Sequence, residues 1–165
     1  MRWEPAMFVR DHLPRRSHGG VRPLPDQREL VAAFGGHRSE PEDDHPLLVW
    51  AGTLAALHRR RHLDPLAAAG IDCRRSELVA AIDAWVIDQL PRKRATDHLR
   101  AESVGATVDR MAAAHVHASH LLHTADKVSD ARVHAAWYRL ALLADEWTDL
   151  ITGGVRETVR GRRPA

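Results

Sequence analysis

Between Asp26 and Gly153 the apolar residues recur at intervals of three and four, the spacing that gathers them on one face of an α-helix. No stretch alternates apolar and polar residues long enough to suggest a strand. Asp26 and Glu29 have capping-box spacing ahead of Leu30, Val31 and Phe34, and Gly35-Gly36 closes this short helix. Pro46 suits the first turn of a longer helix running to about His62. Asp64-Pro65 repeats the start signal, so a further helix begins there or after Gly70, continues through Ile71, Leu78, Ile82 and Trp85, and stops at Pro91. A third long helix is predicted from about Ser103 to His123. A fourth is capped by Ser129, stopped by Gly153-Gly154, and carries Val133, Trp137, Leu140, Ala144, Trp147 and Ile151 on one face. The fold class expected is all-α: a bundle of about four long amphipathic helices plus one short N-terminal helix.

The flanks read differently. Residues 1–25 hold four prolines and a Gly-Gly pair and are expected to form an extended arm. Residues 26–153 form the domain, and residues 154–165 a basic tail. Tryptophans 50, 85, 137 and 147 fall on the apolar stripes and read as core.

Polar residues that interrupt these stripes are where chemistry is sought. His58 continues the stripe of Leu47, Trp50, Ala51 and Leu54, with His62 one turn on. Arg75 falls inside the stripe of Ile71, Leu78, Ile82 and Trp85. His115 lies near the centre of the stripe of Val104, Val108, Met111, Ala112 and Leu122. An inward guanidinium needs an anion. Asp83 and Asp109, at the edges of their stripes, are the internal candidates, which gives a buried ion pair as one reading. The other is a polar pocket in which Arg75 clamps an anionic small molecule and His115 or His58 moves protons, with Asp109 as the orienter of His115. Asp83, Glu102, Arg110, His134 and Tyr138 are further candidates for the wall of that pocket.

The run from His115 to His123 resembles a metal motif at first sight. Helical geometry turns His117 nearly opposite His115, so its four histidines cannot share one ion. If any metal is held, His58 with His62, or His120 with His123, are the pairs spaced to chelate it. No His-Glu-x-x-His pattern, glycine-rich phosphate loop or nucleophile triad is present, and no cofactor is called for.

Charge changes the picture little. The formal net charge is +2 and the pI about 9.2, and the arginine clusters at 59–61, 92–94 and 160–163 are scattered, so nucleic acid is an unlikely partner. The apolar runs are too short to span a bilayer, and the lone Cys73 forms no internal disulfide, so a cytoplasmic protein without a membrane partner is expected.

Residues 74–86 (RRSELVAAIDAWV), 102–111 (ESVGATVDRM) and 131–140 (ARVHAAWYRL) resemble the family called domain of unknown function 4254, common in actinobacteria, over roughly residues 26–151. The matching polar positions are Arg75, Glu77, Asp83, Glu102, Ser103, Asp109 and Arg110. Family members usually carry His-Thr-Glu before the Ser-x-Gly, whereas Arg100-Ala101 precede Glu102 here. The resemblance implies a bacterial cytosolic protein, often of specialised metabolism. The leading expectation is a small-molecule enzyme or binder with acid–base chemistry: cyclisation, elimination or isomerisation. The competing one is a helical interaction module or accessory subunit, with a homodimer among its forms, and a His-ligated metal or haem protein is third.

Overall fold

The computed structural model describes residues 23–37, 45–89, 103–125 and 130–153. These form five α-helices: α1 (Gln27–Phe34), α2 (Pro46–Leu63), α3 (Ala68–Gln89), α4 (Val104–Thr124) and α5 (Ala131–Thr152), with a 3-10 turn at Pro65–Ala67 leading into α3. The described residues contain no strand. The fold is the all-α bundle expected from the sequence, and none of its helices is long and apolar enough to cross a membrane.

Local signals set most boundaries. Asp26 accepts from the amides of Arg28 and Glu29, and Glu29 returns a bond to the Asp26 amide at 2.7 Å, so the capping box forms. The α2 N-cap is His45, whose Nδ1 accepts from the Leu47 amide, with Pro46 at the first position. Asp64 caps the 3-10 turn that starts at Pro65, which resolves the two possible starts of the next helix: the chain enters helical geometry at Pro65 and is fully α-helical from Ala68. The α5 cap is Asp130, one residue after the serine suggested by the pattern. Gly153 ends α5 in the left-handed conformation (φ 76°), which glycine adopts without steric cost.

Helix α4 is central. It packs against α2, α3 and α5, and touches α1; α3 and α5 lie on different sides of it. Its approach to α3 depends on Gly105: a Cβ there would lie 2.4 Å from the Val79 carbonyl oxygen. The core runs through Leu30, Phe34, Leu54, Ile82, Val108, Met111 and Trp147, all fully buried. Each such side chain contributes roughly 1.5–3 kcal/mol.

Two of the four stripe tryptophans depart from the core reading. Trp50 and Trp147 are buried, but Trp85 is half-buried, edge-on to Trp50 and His45, and Trp137 is 36% exposed. Among the described residues helix α5 packs mainly on α4, with a smaller contact to α1, and the flanks of its stripe are exposed. Leu122, near the end of the α4 stripe, is also exposed. The last residues of the N-terminal arm are held against the bundle. Pro25 is buried, and its carbonyl accepts from the Trp147 indole N–H at 3.1 Å.

Candidate functional site

His58 on α2 and Asp109 on α4 turn toward each other because both interrupt apolar stripes that face the same interface. His58 Nε2 is 2.8 Å from Asp109 Oδ1. From α3, Arg75 reaches the same carboxylate with two nitrogens, Nε to Oδ1 at 3.1 Å and Nη2 to Oδ2 at 2.5 Å. Its Nη1 donates to Asp72 Oδ1 at 2.7 Å, and Asp72 also receives a two-pronged contact from Arg61 at 2.9 and 3.1 Å. Three helices thus contribute to one chain of alternating charge, Arg61–Asp72–Arg75–Asp109–His58. It runs from the exposed Arg61–Asp72 pair to the buried histidine.

Burial alone would raise the Asp109 carboxyl, but the hydrogen bonds from His58 and Arg75 outweigh it and hold it at about 2. Asp109 is therefore ionised and can only accept. The proton in the 2.8 Å contact belongs to His58 Nε2, and Nδ1 is the nitrogen that Asp109 does not hold. Arg75 is raised further above its ordinary value, chiefly by the bond to Asp109. A charge held this way from two sides is fixed in orientation as well as in protonation.

The buried-ion-pair alternative for Arg75 is thus realised with Asp109, and the guanidinium is taken up by two carboxylates of its own chain. Asp109 and His115 stand six residues apart on α4, so their Cα atoms differ by about 9 Å along the axis and roughly 120° in direction. Asp109 orients His58 in their place. His115 is buried, with its ring 5.7 Å from that of Phe34 and edge-on to Trp137 at 6.5 Å, and its Nδ1 has no hydrogen-bond partner among the described residues. Burial, with a smaller contribution from the positive charge of Arg59, lowers its pKa and keeps it neutral at pH 7. Arg59 itself donates to the Phe34 carbonyl at 2.8 Å, closing the C-terminus of α1.

Asp83 proves to be a cap rather than a pocket wall. Its carboxylate accepts from Ser103 Oγ at 2.6 Å and from the Gly105 amide at 2.8 Å, pinning the start of α4 to α3. Ser103 in turn accepts from the Ala106 amide, so the Ser-x-Gly motif joins two helices. Arg110 pairs with Glu146 at 2.6 Å and with Thr107, on the α5 side of α4 and away from Asp109. His134 and Tyr138 lie exposed on α5. Glu102 lies outside the described residues.

The histidines pair differently from the spacing along each helix. His58 is occupied by Asp109, and His62 stacks instead on His120 across the α2–α4 interface, with centroids 6.2 Å apart and planes within 4°. His62 is shifted down, first by burial and then by the neighbouring His120, His117, His58 and Arg61. His123 Nδ1 bonds back to the Ser119 carbonyl. Among the described residues no group of three or more His, Cys, Asp or Glu side chains is placed to hold a metal ion. The His62–His120 stack beside the His58–Asp109 pair was not legible in the sequence, because it depends on how α2 and α4 are rotated.

Comparison with known proteins adds the family. No curated protein and no solved structure matches the chain. A family model described as a protein of unknown function (DUF4254) matches residues 56–158. That span takes in His58, Arg75, Asp83, Asp109 and His115, and begins after α1 and the first half of α2. The match extends over well over half of the sequence, and the chain belongs to the DUF4254 family.

Proposed function

We propose that the protein is a small-molecule enzyme of bacterial metabolism that works by acid–base chemistry, with His58 as the proton-transferring group. The observation that carries this reading is the 2.8 Å contact from His58 Nε2 to an Asp109 carboxylate that His58 and Arg75 together keep ionised. With its Nε2–H committed to Asp109, neutral His58 offers Nδ1 as a base. The imidazolium formed on taking a proton is stabilised by the adjacent carboxylate. Returning that proton elsewhere on the same molecule gives isomerisation, and returning it to a leaving hydroxyl gives elimination of water. Asp109 orients and Arg75 supports, so Arg75 acts on the ligand only through Asp109.

Arg61, half-exposed at the solvent end of the chain that leads to His58, favours an anionic substrate. Incubating the wild-type protein and the His58→Gln variant with a bacterial metabolite extract, read by mass spectrometry, tests the proposal. A carboxylate or phosphate ester should be converted to an isomer or a dehydrated product by the wild type alone. Conversion at the same rate by the variant would remove His58 from the reaction.

A further inference from the structure

The face of α5 opposite its buried stripe carries Ala135, Tyr138, Ala141 and Leu142 at its middle. Tyr138 is 67% and Leu142 51% exposed. Beside them, between α4 and α5, runs an open groove of about 920 Å³ lined by Ala113, Ala114, Leu121 and Ala136 and also by Arg110, His117, Arg132 and Arg139. A half-exposed leucine and a tyrosine bordering a groove of mixed apolar and cationic lining are a surface that an acidic, partly apolar partner face would cover.

The polar groups on and beside this face are sorted along the helix. Arg132, His134 and Arg139 lie in its first half, and Asp145 and Asp149 in its second. The side chains of His134, Arg139, Asp145 and Asp149 have no hydrogen-bond or ion-pair partner among the described residues, whereas Arg110 and Glu146, and Arg132 and Asp130, pair within the chain. A helix that is cationic at one end, anionic at the other and apolar between is complementary to itself turned end for end.

We propose that a second copy of this chain covers this face, with the two α5 helices packed antiparallel about a two-fold axis near Ala141 and Leu142. In that register Tyr138 meets the second copy's Asp145 and can donate its hydroxyl proton to that carboxylate. His134 meets the second copy's Asp149, Arg139 lies beside the same acidic half, and the two Leu142 side chains lie close to the axis. Each contact occurs twice. A parallel pairing would set Asp145 and Asp149 against their own copies, and like charges oppose it. The small residues Ala113, Ala135 and Ala141 allow close approach, and the adjoining groove widens the contact.

Sedimentation equilibrium over a range of concentrations tests this. The wild type should show reversible dimerisation that weakens as salt rises. The Leu142→Glu variant, at an exposed position that leaves the monomer folded, should shift the dissociation constant at least about tenfold toward monomer. The decisive comparison uses two repelling variants. Asp145→Lys/Asp149→Lys removes the acidic groups of this face and replaces them with basic ones, and His134→Glu/Arg139→Glu does the reverse. Each should be monomeric alone, with unchanged helical circular dichroism, and their equimolar mixture should dimerise. A wild type that stays monomeric, or a mixture no more associated than its components, overturns the proposal.

Discussion

Nε2 of His58 lies 2.8 Å from Oδ1 of Asp109, and Arg75 grips the same carboxylate from a third helix. The pair joins α2 to α4 and commits a proton to one nitrogen of the ring. The bonds from His58 and Arg75 together keep Asp109 ionised in a half-buried place, and Asp72 with Arg61 extends the chain to solvent.

Removing the charge of Asp109 while keeping its shape should therefore be costly. In Asp109→Asn, Arg75 loses its two-pronged partner and His58 its acceptor, and stability should fall by about 3 kcal/mol, the usual cost of breaking a buried pair from one side. His58→Gln should cost about 1 kcal/mol, since Arg75 still holds the carboxylate. Urea denaturation of the two variants checks the ratio. Equal losses would mean that Arg75 adds little.

The junction of α3 and α4 gives a second expectation. Gly105→Ala places a Cβ against the Val79 backbone, which cannot turn aside as a side chain can, and should destabilise by about 2 kcal/mol. Asp83→Ala leaves the Gly105 amide and the Ser103 hydroxyl without their acceptor and should cost about 1–2 kcal/mol. Thermal melts of both variants read these losses, and an unchanged melting temperature in Gly105→Ala would place α3 further from α4 than described here.

Stability should also depend on pH in a definite direction. His115 and His62 titrate below their ordinary 6.5 in the folded chain, so the unfolded chain binds protons more readily there. Their contribution is complete above about pH 6.5 and is lost as pH falls below it. Asp109 acts lower: its folded value of about 2 against 3.8 contributes ~2 kcal/mol that is complete above 3.8 and lost as pH falls toward 2. The urea midpoint should accordingly drop between pH 7.5 and 5.5, and His115→Phe should flatten that slope. An unchanged slope in the variant would assign the effect to other histidines.

Much of this was legible in the sequence, for a physical reason. Helical phase fixes which residues of one helix share a face, so His58, Arg75 and His115 could be placed inward, the Asp26 capping box and the Gly153 stop located, and Asp109 considered as an anion for Arg75. Phase does not fix how two helices are rotated or how closely they approach. Hence Asp109 was paired with His115 on its own helix when it faces His58 on another. Asp83 was read as a ligand when it caps α4, and Trp137 as core when α5 is an edge helix. Close contact at Gly105 depends on the Val79 backbone, which no side-chain pattern records.

The most direct measurement of the central claim is long-range ¹H–¹⁵N correlation NMR of the His58 ring at pH 7, in the wild type and in Asp109→Asn. The account predicts a ring held as the Nε2–H tautomer, with an unprotonated Nδ1, in the wild type, and loss of that preference in the variant. An Nδ1–H tautomer in the wild type, or a ring indifferent to Asp109→Asn, would contradict it.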